Sequence, residues 1–225
     1  MTRSRATLTN LLILINVLAF VWEYTTGTFT GTDLQQSQAL YDHGGLYGAA
    51  VLQNGEWWRL VTSAFLHGGI AHIALNMIAL YQIGQFVELL YGRGRYALVY
   101  VLAMLGSGLL VTFLAPNQVT IGASGAIFGL FGALVAAGLR LGARGRSLIT
   151  QTLPIIVINL VFTFSVPGIS WEAHVGGLVT GFVAGLLFYM VPSRQRENAY
   201  AYAFQPAADH HRVQTIEQPP VEPPA

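Results

Sequence analysis

A serine hydroxyl becomes a useful nucleophile only when a base within hydrogen-bond reach can take its proton. Histidine suits that task because it titrates near neutrality. Two candidates stand out in this chain. Ser124 lies in Gly122-Ala123-Ser124-Gly125, and His174 lies in Ala173-His174-Val175-Gly176-Gly177. Both sit in apolar sequence, as do His67, His72, Asn76, Glu88 and Asn159. His72 and Asn76 are four residues apart and share one helix face, and Ser124 and Phe128 have the same relation.

The rest of the chain must explain how such residues could meet. Its 225 residues are 53% hydrophobic and only 9% charged, with a mean hydropathy of +0.53. Soluble domains carry about 25% charged residues. So few charges cannot cover a water-facing surface, whereas lipid needs no such cover. A net charge of +1 argues against nucleic acid as a partner. The absence of cysteine removes disulfides, thiolate metal sites and a cysteine nucleophile together.

Six apolar stretches follow, near Leu8–Tyr24, Ile70–Leu90, Tyr96–Ala115, Ile121–Leu139, Leu148–Val166 and Trp171–Val191. Most approach the roughly 20 residues that cross a bilayer as a helix. The first is the shortest in its unbroken apolar part. A signal-peptide core behind Arg3 and Arg5 is the competing reading there, although no small-residue cleavage site follows Trp22. The chain has no lysine. Its arginines at 3, 5, 93, 95, 140, 144, 146, 194, 196 and 212 all fall on one side if six helices alternate, and Arg59 alone falls on the other. The positive-inside rule then puts both termini in the cytoplasm.

The expected organisation is an N-terminal tail over 1–7, an all-α membrane bundle over 8–191, and a polar, disordered, proline-ended cytoplasmic tail over 192–225. Within the bundle, 25–69 forms an external, partly embedded first loop. Its Trp57 and Trp58 suit the membrane interface.

Polar groups at membrane depth are costly and point to function. The second, fourth and sixth spans all begin on the outer side, so His72, Ser124 and His174 come to a similar depth. Small residues recur every four positions in two spans: Gly125, Gly129 and Ala133 in the fourth, Gly177, Gly181 and Gly185 in the sixth. Such stripes let helices approach closely. If these two face each other, Ser124 and His174 meet at the ends of paired helices. His67, His72, Asn76, Ser124 and His174 would then line a cavity open to the outer side. Each residue also has a plainer reading. Ser124 alone could be one more small packing residue, and His174 an interhelical hydrogen bonder. Glu88 reads as a structural tie and His67 as an organiser of the first loop.

Taken together, these residues resemble the rhomboid family of intramembrane serine proteases, from about Leu46 to Val191. The serine motif Gly122–Gly125, the run from Ala173 to Gly177 continuing to Gly181, Phe65-Leu66-His67 with His72 and Asn76, and the pair Trp58-Arg59 carry the likeness in order. The resemblance implies Ser124 as nucleophile and His174 as general base and acid. His72, Asn76 and the Ser124 backbone N–H would stabilise the oxyanion, Phe128 would pack on the imidazole, and the glycines would serve packing. It implies transmembrane protein substrates within a lipid bilayer, no cofactor and no metal, and a bacterial inner-membrane location. No acid is placed to orient His174, since Glu172 at i−2 cannot face it, so a Ser–His dyad is expected.

Three other functions compete. A catalytically silent relative that binds membrane clients would normally lack the serine or histidine. A transporter would favour paired charges in the spans. An intramembrane metalloprotease would need a His-Glu-x-x-His helix, and His67 and His72 have no glutamate between them.

Overall fold

Length and hydropathy leave this chain few options: apolar runs in lipid must satisfy their backbone internally, and helices do so. The computed structural model describes residues 7–30 and 32–189. The expected tail over 192–225 lies outside these residues, and so does the N-terminal tail except Thr7, which already begins a helix.

Helix α1 spans Thr7–Thr25. The first loop then folds into three short helices, α2 (Asp33–Asp42), α3 (Gly48–Asn54) and α4 (Arg59–Thr62), followed by a 3-10 turn at Ser63–Phe65. The second span is α5 (Ile70–Ala79), a π-helical turn (Leu80–Gly84) and α6 (Gln85–Tyr91). Helices α7 (Arg93–Leu114), α8 (Ser124–Arg140), α9 (Arg146–Ser165) and α10 (Trp171–Phe188) complete the bundle. Five of the spans are long and apolar enough to cross a membrane, and α8 is a shorter apolar helix of 17 residues. The fold is therefore an all-α membrane bundle. One small exception is an antiparallel bridge of two-residue strands, β1 (Leu46–Tyr47) and β2 (Val119–Thr120). It ties the first loop to the segment just before Ser124.

Arg59 organises that loop. Its Nη1 donates to the carbonyls of Tyr41 (2.7 Å) and Gly45 (2.8 Å), and its Nε donates to Glu56 (2.5 Å). The guanidinium also lies over the Tyr41 and Trp58 rings. Leu46, Val51 and Leu60 then pack on Val111 and Ala115 of the α7 end and on Ala173 of α10. The loop is thus a structural cap on the end of the bundle where α8 and α10 begin.

Two carboxylates hold α1. Glu88 accepts from the backbone N–H of Leu8 (3.1 Å) and Thr9 (2.8 Å) and from the Thr9 hydroxyl (2.8 Å). These are first-turn donors that a helix cannot satisfy by itself. At the other end, Glu23 is fully buried and accepts from the His67 backbone N–H through both oxygens at 3.1 Å. The sequence reading passed over Glu23 and the equally buried Asn16, because both lie inside the weakest apolar run.

Candidate active site

The closest packing in the bundle is between α8 and α10. A Cβ on Gly177 would overlap the carbonyl oxygen of Gly125, and one on Gly181 would overlap that of Gly129. One on Gly185 would come 2.8 Å from the Ala133 Cα. The two stripes therefore run in register, backbone against backbone. Helix α7 joins the seam: Cβ atoms on Gly125 and Gly176 would meet Ser107. Gly132, outside the stripe read from sequence, is just as confined, against the backbone of Leu178 and Phe182.

That register brings Ser124 and His174 together. Ser124 Oγ is 2.9 Å from His174 Nε2. The Phe128 ring stacks on the imidazole with centroids 4.1 Å apart and planes 11° from parallel. Ser124 is the first residue of α8, not a residue one turn inside it. Its backbone N–H therefore has no intrahelical acceptor.

On the far side of the imidazole, His174 Nδ1 lies 2.7 Å from Thr163 Oγ1 on α9. Sequence reasoning missed this residue. Glu172, the nearest acid in sequence, instead accepts from the Ser170 hydroxyl (2.9 Å). The partner of the ring at Nδ1 is thus a threonine hydroxyl.

His72 and Asn76 lie beside Gly122, two residues before Ser124. Gly122 has φ +114°, and a Cβ there would sit 2.7 Å from His72 Nε2 and 3.7 Å from Asn76 Nδ2. The space beside Gly122 is thus kept open between two nitrogen atoms. The Gly68 N–H donates to His72 Nδ1 (3.2 Å). In the neutral ring this leaves the His72 proton on Nε2, pointing into that space. Asn76 Nδ2 spends one hydrogen on the His72 carbonyl (3.1 Å) and keeps a second.

These groups open on a cavity of about 730 Å³ between α5 and α9. Ser124, His174, His72 and Asn76 line it, together with Thr163 and Asn159. His67 does not, contrary to the expectation. Its side chain is fully buried behind the wall, edge-on to the His72 ring at 5.1 Å, with Nδ1 3.2 Å from the Phe65 carbonyl. The Glu23 contact to its backbone holds it there. Among the described residues no cluster of histidine and acidic side chains is arranged to hold a metal ion. Trp58 and Arg59 lie in the loop that caps the bundle and line no part of this cavity.

The Rhomboid domain pattern matches residues 54–191, more than half of the chain. This chain belongs to the rhomboid family. Rhomboid protease GluP of Bacillus subtilis (strain 168) is 39% identical over 181 residues, covering 80% of this chain and 34% of that protein. Putative rhomboid protease YdcA of the same organism is 34% identical over 149 residues, covering 64% of this chain and 72% of that protein. RHOMBOID-like protein 1 of Arabidopsis thaliana is 33% identical over 183 residues, covering 78% of this chain and 47% of that protein. This rhomboid thus spans only about a third to a half of two of these relatives. It is an integral, multi-pass membrane protein by its family and its apolar helices.

Proposed function

We propose that this chain is an intramembrane serine endopeptidase that cleaves transmembrane segments of other proteins with a Ser124–His174 dyad. The observation that carries this reading is the 2.9 Å approach of Ser124 Oγ to His174 Nε2, with Phe128 stacked on the ring. His174 takes the hydroxyl proton as Ser124 Oγ bonds to the scissile carbonyl carbon. The oxyanion forms beside Gly122, with His72 Nε2–H, Asn76 Nδ2–H and the Ser124 N–H as its donors. Each such donor contributes on the order of 3 kcal/mol in serine hydrolases. His174 Nε2–H then protonates the departing amine, leaving an acyl-enzyme. Water, deprotonated by the same nitrogen, releases the acid product and restores Ser124.

A substrate helix has its carbonyls hydrogen-bonded internally and must unwind before Ser124 can reach one. Segments with small or helix-breaking residues near one membrane face are the fitting substrates. They would enter between α5 and α9, where Pro154 interrupts the α9 hydrogen-bond ladder. With the arginine topology, the cavity opens to the outer face, both termini are cytoplasmic, and the protein resides in a bacterial inner membrane.

The test is reconstitution with a generic transmembrane substrate. The native protein should cleave it and be labelled by a fluorophosphonate at Ser124. Ser124→Ala and His174→Ala should each do neither. Cleavage by Ser124→Ala at the native rate, or a native protein that neither cleaves nor labels, would sink the assignment.

A further inference from the structure

A histidine that accepts a serine proton at Nε2 must carry its own proton on Nδ1. In soluble serine proteases a buried aspartate fixes that tautomer, and the wrong one costs about 10⁴ in kcat. Here Nδ1 meets a threonine. Thr163 is buried on α9, and its Oγ1 is 2.7 Å from both His174 Nδ1 and the Asn159 carbonyl oxygen. A hydroxyl has one proton. The Asn159 carbonyl can only accept, and two oxygens 2.7 Å apart with no hydrogen between them would repel, so the Thr163 hydrogen goes to it. The Thr163 oxygen is then left as an acceptor, and the Nδ1 it faces must be N–H. Nε2 is correspondingly free to accept from Ser124.

We infer that Thr163 is a positioning residue that fixes the tautomer of His174 through a relay from the α9 backbone. It rests on the protease reading for its consequence, not for its geometry. The relay works with a neutral oxygen in place of a carboxylate, so no charge is buried beside the base. It also spans two helices. The Nε2 side of the ring belongs to α8 and the Nδ1 side to α9, so the base is correctly protonated only while α9 is seated against α10.

Three variants test this: Thr163→Val, which keeps shape without the hydroxyl, Thr163→Ser, which keeps the oxygen, and Ser124→Ala as the reference for lost chemistry. In Thr163→Val, kcat on a reconstituted transmembrane substrate should fall about 10- to 100-fold with KM nearly unchanged, less than for an inverted tautomer because Phe128 still holds the ring plane. Thr163→Ser should recover most of that loss. A ¹⁵N spectrum of histidine-labelled protein, assigned by difference from His174→Gln, reads the tautomer without any turnover. It should show His174 protonated at Nδ1 in the native protein and in Thr163→Val a mixture of tautomers. Native kcat in Thr163→Val overturns the inference. So does a slow Thr163→Val that keeps the Nδ1–H tautomer, or a Thr163→Ser no better than valine. A native protein as inert as Ser124→Ala would overturn the protease reading instead, and the spectrum would still decide the role of Thr163.

Discussion

Helices α8 and α9 lie on either side of the same histidine, and they are built on opposite principles. On α8 every residue from Gly125 to Leu134 is buried, and the contact with α10 is backbone on backbone. On α9 only Leu148, Thr152, Ile156 and Thr163 are buried, a single stripe, while Val157, Ile158, Val161 and Phe164 turn outward. The first helix sets a distance that side chains cannot relax. The second is an apolar wall attached along one line, and near the site that attachment includes a polar contact between Thr163 and His174. The proposed nucleophile and base are held by the tight seam, whereas the proposed tautomer control depends on the lighter contact.

The contrast can be broken most severely at the seam. Gly181→Val would place branched carbons where the Gly129 carbonyl stands. The helices must part, costing at least the usual about 1–3 kcal/mol of overpacking. Cleavage should vanish, and the heat midpoint in detergent should drop. A native midpoint with native cleavage would mean the seam is softer than its geometry.

A smaller effect is expected where α5 begins. Burial, helped by the nearby charge of His72 and opposed by the Phe65 carbonyl, lowers the pKa of His67 from 6.5 to about 4. The unfolded chain therefore binds a proton near pH 6.5 that the folded one refuses until about pH 4. Stability contributed by this group is complete above about 6.5 and falls as pH drops toward about 4. Heat midpoints measured across that window should decline less steeply in His67→Asn than in the native protein. Equal slopes would assign the decline to other groups.

The smallest change belongs to the outer face of α9. Ile158 is 67% exposed, and Ile158→Ala should shift stability by no more than about 0.5 kcal/mol and leave cleavage intact. A large loss there would show that α9 is held by more than its buried stripe.

The sequence made the spans legible because apolar length in lipid has few meanings. The α8–α10 register was also readable, because small residues every four positions on two helices admit one close pairing. Other parts were hidden for physical reasons. A threonine in a helix ordinarily bonds its own i−4 carbonyl, as Thr163 does with Asn159, so nothing marks its second contact, with His174 Nδ1. His67 looks like His72 in sequence, and only the loop path puts one behind the wall and the other on it. Glu23 sits where hydropathy is already marginal, and its partner is a backbone N–H 44 residues away, which no side-chain pattern reports.

That last tie bears on how the protein is assembled. Helix α1 satisfies its own backbone between its ends, so it can enter a bilayer before the spans that follow it have been synthesised. Its two carboxylate ties come from downstream, Glu88 reaching back to its first turn and Glu23 waiting for the His67 N–H. The first cannot form until the second span exists, and the second cannot form until the loop through His67 has been made. The helix can therefore be inserted before it is docked, and its docking records that the loop carrying His67 has found its place.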